Sequence, residues 1–197
     1  MRLESHARRE YVDAFLEIAR RISESLKSLP KNALPIRMYV AGGAALHFHT
    51  GERATQDIDA TFSRRIALPD NLEVSYRDAD GAAQLLYLDR QYSDTLALIH
   101  EDAYRDSKPL ALPGLESNVL DVRLLTPTDL AVTKIGRFTS QDRDDIAALA
   151  QRGLVHPASL RKRAEEAVGN LVGDTTRLRG NLETACRIVA DVESRST

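Results

Sequence analysis

The sequence is poor in cysteine and tryptophan, with Cys186 as its single cysteine and no tryptophan in 197 residues. One cysteine excludes a disulfide framework and a zinc cluster, and it favours a reducing compartment. No apolar run approaches the roughly 20 residues that span a bilayer, and residues 1–9 lack the apolar segment of a secretory signal. We therefore expect a cytoplasmic protein that does not bind a membrane.

A strong charge of either sign is also missing, because the formal net charge is −2. Any polyanionic partner therefore needs a local basic patch. Such a patch lies in the C-terminal part of the chain and comprises Arg152, Arg161, Lys162, Arg163, Arg177 and Arg179. It is either a solvated helix face or a surface for RNA phosphates. No aromatic residue follows Phe138, so RNA contact there would use phosphates and shape rather than base stacking.

The hydrophobic pattern changes from helical to strand spacing and back to helical spacing along the chain. Strands are predicted at residues 36–40, 57–62, 72–76, 84–88, 95–99 and 119–125, with a loop at 104–117. Helices are predicted at residues 7–28, 42–50, 127–138, 140–151, from 156 onward, and 174–193. This order predicts an α+β fold with a mixed sheet and a helical C-terminal lobe. We expect a first domain over 1–150 and the lobe over 151–197, or one continuous unit.

Two glycines and two aspartates have the residue types of a phosphate and metal site. Gly42 and Gly43 stand between a predicted strand and helix, where a phosphate can approach the helix N-terminus; a plain tight turn is the alternative. Asp57 and Asp59 are two residues apart, so on a strand they share one face. Two carboxylates plus substrate phosphates suit Mg²⁺. Aspartate is a poor strand former, which favours a functional role over two solvent-facing acids.

His47 and His49 lie on the predicted helix after the glycines. Two residues apart on a helix, they point in different directions and cannot chelate one ion. We expect one histidine at the edge of the core and the other at the surface.

The glycine and aspartate pattern resembles the signature of a known superfamily. Gly42-Gly43, followed after thirteen residues by Asp57-Ile58-Asp59, is similar to the motif of the DNA polymerase β-like nucleotidyltransferases. The resemblance implies a nucleotidyltransferase-like mixed sheet flanked by helices, and it covers about residues 36–150.

A narrower resemblance is to the bacterial AbiEii-type, toxin-like nucleotidyltransferases. Residues 41–45 match that group together with Arg53 and Thr55, an arginine and a hydroxyl residue just before the acids. A second matching block, residues 126–138 followed by 142–146, resembles the group's lysine- and arginine-bearing helix and the acidic stretch after it.

The resemblance implies a role for each of these residues. Asp57 and Asp59 would bind Mg²⁺ (or Mn²⁺) as catalytic metal ligands. The residues that would hold the nucleoside triphosphate (NTP) are Gly42, Gly43, Arg53, Thr55, Lys134 and Arg137.

Spacing supports one of these pairs independently. Lys134 and Arg137 are three residues apart and so share a helix face suited to phosphate; a solvated basic face is the alternative. Asp142 and Asp145 either orient these cations or supply negative charge to a helix N-terminus.

Asp121, on the predicted strand 119–125, is the candidate for the superfamily's third catalytic carboxylate. In polymerizing members that acid is the general base on the acceptor hydroxyl. Asp121 is alternatively an ion-pair partner of Arg123 or Arg137. If Asp121 is not close to Asp57 and Asp59, either the base role falls to Asp59 or the protein is inactive.

The resemblance thus implies Mg²⁺-dependent transfer of a nucleotide from NTP to an acceptor hydroxyl. The implied acceptor is RNA, such as a tRNA 3′ end, and the implied role is the toxin of a toxin–antitoxin system with an antitoxin protein as partner. The loose third acid favours an alternative, a catalytically silent nucleotide- or partner-binding protein of the same fold. The near-neutral charge favours another, transfer to a protein or a small molecule.

Overall fold

The structure is a computed structural model that describes residues 6–88 and 98–196. The chain divides into two compact units. We call Met1–Tyr92 with Ser107–Leu124 the sheet unit, and Ser93–Asp106 with Leu125–Thr197 the helical unit.

In its described residues, the sheet unit contains two α-helices, one 3₁₀ turn and two β-sheets. Its elements are α1 (Arg9–Leu26), a 3₁₀ turn (Lys31–Ala33), β1 (Ile36–Val40), α2 (Gly42–Thr50), β2 (Ala60–Phe62), β3 (Glu73–Arg77), β4 (Ala83–Tyr87), β5 (Lys108–Pro109) and β6 (Leu120–Leu124). One sheet has the strand order β2-β1-β6-β5, and β3 pairs with β4 in the other. The β1–β6 pair is parallel and the other pairs are antiparallel. The predicted α+β architecture with a mixed sheet flanked by helices is therefore confirmed.

Helix α1 forms because its apolar residues recur every three or four positions and make one buried stripe. The residues of this stripe are Tyr11, Phe15, Ile18, Ile22 and Leu26. The Phe15 and Phe48 rings meet edge to face with their centroids 5.0 Å apart, and Tyr11 meets His47 at 4.6 Å. These aromatic contacts hold α1 against α2.

Helix α2 is buried almost all round, from Gly43 to Thr50. It ends at Gly51, whose φ of 72° is left-handed, as is common for a glycine that terminates a helix. The expectation that one of its two histidines lies at the surface is wrong, because His47 and His49 are both buried.

The helical unit contains α3 (Ala103–Asp106), α4 (Pro127–Arg137), α5 (Ser140–Gln151), α6 (Pro157–Gly169) and α7 (Thr176–Ser196). The Thr126 side chain caps α4 by accepting a hydrogen bond from the Asp129 N–H, and Pro127 occupies the first turn. Thr139 and Asp142 form a reciprocal capping box at the start of α5. These caps explain why the predicted helix starts are confirmed. None of the described helices is long and apolar enough to cross a membrane.

Two features differ from the expectations. Regular pairing on the predicted strand 57–62 begins only at Ala60. The predicted loop 104–117 contains most of α3 and the short strand β5. Helices α4 and α5 belong to the helical unit, because they pack with α6 and α7. Most of the predicted strand 95–99 lies outside the described residues.

Candidate active site

The first contact of the site joins Gly42 to Asp59. Gly42 opens α2 with a left-handed φ of 56°, and a Cβ atom on it would overlap the Asp59 Oδ2 atom. The Ala41 N–H donates to the Asp59 carbonyl at 2.8 Å, which holds the two segments side by side. The carboxylate of Asp59 thus lies directly against the N-terminus of α2, where the helix dipole stabilises negative charge.

The second contact joins Gly43, Thr55 and Asp57. A Cβ atom on Gly43 would lie 2.9 Å from the Thr55 Cβ, too close for a side chain. The Thr55 hydroxyl in turn donates to Asp57 Oδ1 at 2.5 Å. The structure therefore brings together five of the predicted site residues: Gly42, Gly43, Thr55, Asp57 and Asp59.

The backbone around Asp57 is held by the β3–β4 hairpin, which sequence reasoning did not connect with the site. The Ile58 N–H donates to the Tyr87 carbonyl and the Tyr87 N–H donates to the Gln56 carbonyl, each at 2.8 Å. This parallel bridge lies at the end of β4. The segment that carries the two acids is therefore held at both ends. Asp57 pairs with the β3–β4 hairpin, and Asp59 is hydrogen-bonded to Ala41 at the end of β1.

The donor set suits a divalent cation with hard oxygen ligands. Within residues 6–88 and 98–196, no three His, Cys, Asp or Glu side chains converge closely enough to hold a metal. Asp57 and Asp59 would therefore supply two ligands, and phosphate oxygens and water would supply the others, as Mg²⁺ prefers. The space left by the missing Gly42 and Gly43 side chains is taken by the Asp59 carboxylate and the Thr55 side chain, which places both side chains against the start of α2.

Asp121 is engaged by arginines of its own sheet. Its Oδ2 lies 3.1 Å from Arg123 Nη1 and 3.8 Å from Arg37 Nε. Arg123 is fixed further by Ser107, whose hydroxyl accepts from Nε at 2.9 Å and whose carbonyl accepts from Nη2 at 2.5 Å. The ion-pair interpretation of Asp121 with Arg123 is thus realised.

The register of the sheet does not bring Asp121 to Asp57 and Asp59. Asp121 pairs with Arg37 on β1, whereas Asp59 lies beside Ala41. Arg37 and Ala41 are four residues apart, which is about 13 Å in an extended chain. Asp121 therefore does not lie beside Asp57 and Asp59, where a third carboxylate is expected.

In the helical unit, two acids of α5 hold the predicted phosphate-binding cations. Lys134 Nζ lies 2.5 Å from Asp145 Oδ2 and 3.9 Å from Asp142 Oδ1. The Lys134 side chain is only 6% exposed. Arg137 binds Asp142 through two hydrogen bonds, at 2.9 and 2.8 Å. Because Asp142 also caps α5, both interpretations of these acids hold: they orient the cations, and Asp142 lies at a helix N-terminus.

These contacts change the ionisation of Asp142. Burial alone raises the pKa of this carboxyl, but hydrogen bonds from Arg137 and Thr139 outweigh burial and hold its pKa well below the usual range. Asp142 therefore stays ionised and keeps its partners at neutral pH.

Two members of the basic patch are paired with carboxylates within the helical unit. Arg163 is 18% exposed in its side chain and contacts Asp129 at 2.7 Å and Asp106 at 2.8 Å. Arg161 binds Glu183 through two hydrogen bonds, at 2.5 and 2.9 Å. These contacts explain the two arginines as packing and surface ion pairs, without an RNA phosphate.

His47 is held between two backbone groups. Its Nδ1 lies 2.7 Å from the Glu52 carbonyl, and its Nε2 accepts from the Arg8 N–H at 3.2 Å. Burial lowers the pKa of His47, so the ring is neutral and donates through Nδ1. This histidine joins α2 to the start of α1 and is not arranged as a metal ligand.

Residues 19–181 match the model of a family described as "Nucleotidyltransferase of unknown function (DUF6036)". The chain belongs to this family. The match extends on both sides of residues 36–150, the range of the sequence resemblance, and it spans the glycine and aspartate cluster as well as the Lys134 helix. No curated protein and no solved structure matches the chain.

The contact between Gly42 and Asp59 can be tested by adding a side chain at Gly42. Gly81 is a matched control, because its φ of 80° is also left-handed but a Cβ there meets nothing within 4 Å. Both alanine variants should lose roughly 1 kcal/mol of stability to backbone strain. Only Gly42→Ala displaces Asp59. This variant should therefore bind NTP in the presence of Mg²⁺ at least about tenfold more weakly, which is about 1.4 kcal/mol. Calorimetry measures the two affinities. Equal binding by the two variants would contradict this geometry.

Asp142 makes the stability of the helical unit depend on pH. Because its folded-state pKa is lowered, its contribution is complete above the ordinary carboxyl value near 4 and is lost progressively as pH falls from that value through the lowered folded-state pKa. We expect Asp142→Asn to reduce the free energy of unfolding by about 1.5–3 kcal/mol at pH 7, and by steadily less as pH is lowered below about 4. Urea denaturation followed by circular dichroism measures the difference. Asp144→Asn, at an exposed position of the same helix, is the control, and a pH-independent loss for Asp142→Asn would refute the assignment.

Proposed function

We propose that this protein is an active nucleotidyltransferase that moves a nucleotide from an NTP to an acceptor hydroxyl and requires Mg²⁺. The observation that carries this proposal is the packing of Asp59 on Gly42 and of Thr55 on Gly43. It sets two carboxylates beside a helix N-terminus, and these are the groups needed to hold a metal and a phosphate together.

The residues have distinct roles in this reaction. Asp57 and Asp59 would hold the metal, which supplies Lewis-acid stabilisation of charge on the transferred phosphate. The Thr55 hydroxyl positions Asp57 through their 2.5 Å hydrogen bond. The N–H groups at the start of α2 bind phosphate oxygens. The acceptor oxygen then forms a bond to the α-phosphorus, and the bond from that phosphorus to the β-phosphate oxygen breaks and releases pyrophosphate.

The proton of the acceptor hydroxyl needs a base. Asp121 is tied to Arg123 and Arg37 on another level of the sheet, so we assign the base role to Asp59. This assignment makes Asp59 both a metal ligand and a proton acceptor, and it leaves Asp121 a structural ion-pair residue.

For the acceptor we propose RNA, in particular a tRNA 3′ end, and for the biological role a toxin with a cognate antitoxin. These two proposals rest on the resemblance to AbiEii-type proteins. The pairing of Arg161 and Arg163 with carboxylates favours the competing acceptors, a protein or a small molecule. The separation of Asp121 from the two other acids favours a catalytically silent protein that binds NTP.

The experiment is transfer from each of the four NTPs, labelled at the α-phosphate, to total bacterial RNA in the presence of Mg²⁺. We expect a labelled RNA band with one or more NTPs. Asp57→Asn and Asp59→Asn should each lower the rate at least about 100-fold, because each removes a metal ligand worth several kcal/mol. Asp121→Asn should retain the rate within about tenfold, since it lies away from the reacting atoms.

Each other outcome identifies what is wrong. Loss of activity in Asp121→Asn, with the variant still folded by circular dichroism, would restore Asp121 as the base. Label in protein instead of RNA would change the acceptor. NTP binding without any label would establish the silent alternative, and full activity of Asp57→Asn and Asp59→Asn would overturn the metal site.

A further inference from the structure

One buried polar group of the sheet unit has no hydrogen-bond partner. Among the described residues, the Tyr11 hydroxyl is the single buried side-chain oxygen or nitrogen left unpaired, and Tyr11 is 1% exposed. An unpaired buried hydroxyl costs about 1–3 kcal/mol, whereas a phenylalanine would place the same ring without that cost. The ring is packed edge to face on His47 at 4.6 Å and on Tyr76 at 6.3 Å. The hydroxyl therefore calls for an explanation other than packing.

Tyr11 lines a cavity of about 230 Å³ between the start of α1 and the β3–β4 hairpin. The other lining residues are Arg8, Glu10, Ala54, Tyr76, Asp78 and Gln84. One water needs only roughly 10–15 Å³, so the cavity is much larger than a bridging water requires. It is smaller than the roughly 300–1,000 Å³ of sites that enclose a whole ligand. Its size thus suits one ring system of a larger ligand.

The cavity lies next to the metal and phosphate residues along two segments of chain. Ala54 directly precedes Thr55, the residue that contacts Gly43 and Asp57. On β4, Gln84 is three residues from Tyr87, whose backbone pairs with the Asp57 segment, and this spacing is about 10 Å. A nucleotide whose α-phosphate lies at the metal would extend its nucleoside over a similar length.

Electrostatics supports the same placement. Burial is the main cause of a raised pKa for the Tyr11 hydroxyl, and the nearby Tyr76, Asp57 and Asp59 raise this pKa further. The hydroxyl is therefore within electrostatic reach of both carboxylates of the site, and it stays protonated and able to donate.

The groups around the cavity are those that recognise a planar ring with donors and acceptors at its edge. Tyr76 and Gln84 are paired across the β3–β4 ladder, so their side chains share one face. The Gln84 amide nitrogen donates to Asp78 Oδ2 at 2.8 Å, which fixes the orientation of the amide group. An oriented amide, a tyrosine ring and a hydroxyl together suit a nucleobase better than a phosphate or an aliphatic chain.

We propose that this cavity binds the nucleobase of the NTP and that the Tyr11 hydroxyl hydrogen-bonds to it, making Tyr11 a determinant of nucleotide choice. The proposal rests on the proposed function, because it assumes that the triphosphate lies at Gly42 and Gly43. It adds a base-reading pocket built from α1 and the hairpin, elements outside the glycine and aspartate motif.

The test is calorimetric titration of the full chain with each of the four NTPs and with inorganic tripolyphosphate, all in Mg²⁺ and without acceptor. We expect the wild type to prefer one NTP, and Tyr11→Phe to weaken that NTP roughly tenfold or more. Binding of tripolyphosphate should not change. Tyr11→Phe should be at least as stable as the wild type, since it removes an unpaired hydroxyl. Tyr104→Phe is the control, because Tyr104 lies in α3 of the helical unit and outside the residues that line the cavity.

The outcomes separate this inference from the proposed function. If the wild type binds Mg²⁺·NTP and Tyr11→Phe binds each NTP as tightly as the wild type does, the inference is overturned and the proposed function stands. Equal weakening of NTP and tripolyphosphate also overturns it, since the hydroxyl would then act on the phosphate site. If the wild type binds neither NTP nor tripolyphosphate, the proposed function fails as well. Gln84→Met is a second variant, and it should weaken the same NTP and spare tripolyphosphate.

Discussion

The absence of a side chain at Gly42 is the constraint on which the rest of the site depends. Only without a Cβ atom can the Asp59 carboxylate lie against the first turn of α2. The left-handed backbone of Gly42, with a φ of 56°, adds a second reason for glycine. Gly43 repeats the arrangement with Thr55, which in turn orients Asp57. The fold thereby brings a helix N-terminus together with two carboxylates that lie more than a dozen residues further along the chain.

The elements that carry this cluster are fixed from several sides. The hairpin holds Asp57 through the backbone of Tyr87. Ala41, between β1 and α2, holds Asp59, and aromatic contacts hold α1 on α2. A site built on paired backbone rather than on a free loop is preorganised, so little order has to be gained when a metal and a nucleotide bind. The cavity lined by Tyr11 is built from two of these elements, α1 and the β3–β4 hairpin.

Local chemistry explains what the sequence could predict. The helix starts at Thr126-Pro127 and at Thr139 follow from capping. The grouping of Gly42, Gly43, Asp57 and Asp59 was expected from their residue types and from the resemblance of their spacing to the nucleotidyltransferase motif. Properties that depend on the whole fold could not be predicted. The level of Asp121 on the sheet is set by strand register, the burial of His49 by packing around α2, and the Tyr11 hydroxyl becomes notable only once its surroundings are known.

A crystal structure with Mn²⁺ and a non-hydrolysable NTP analogue tests the central claim most directly, because Mn²⁺ is located by its anomalous scattering. The account predicts Mn²⁺ coordinated by carboxylate oxygens of both Asp57 and Asp59, with phosphate oxygens at the N–H groups of Gly42 and Gly43. Mn²⁺ bound elsewhere, or a triphosphate away from the start of α2, would contradict it.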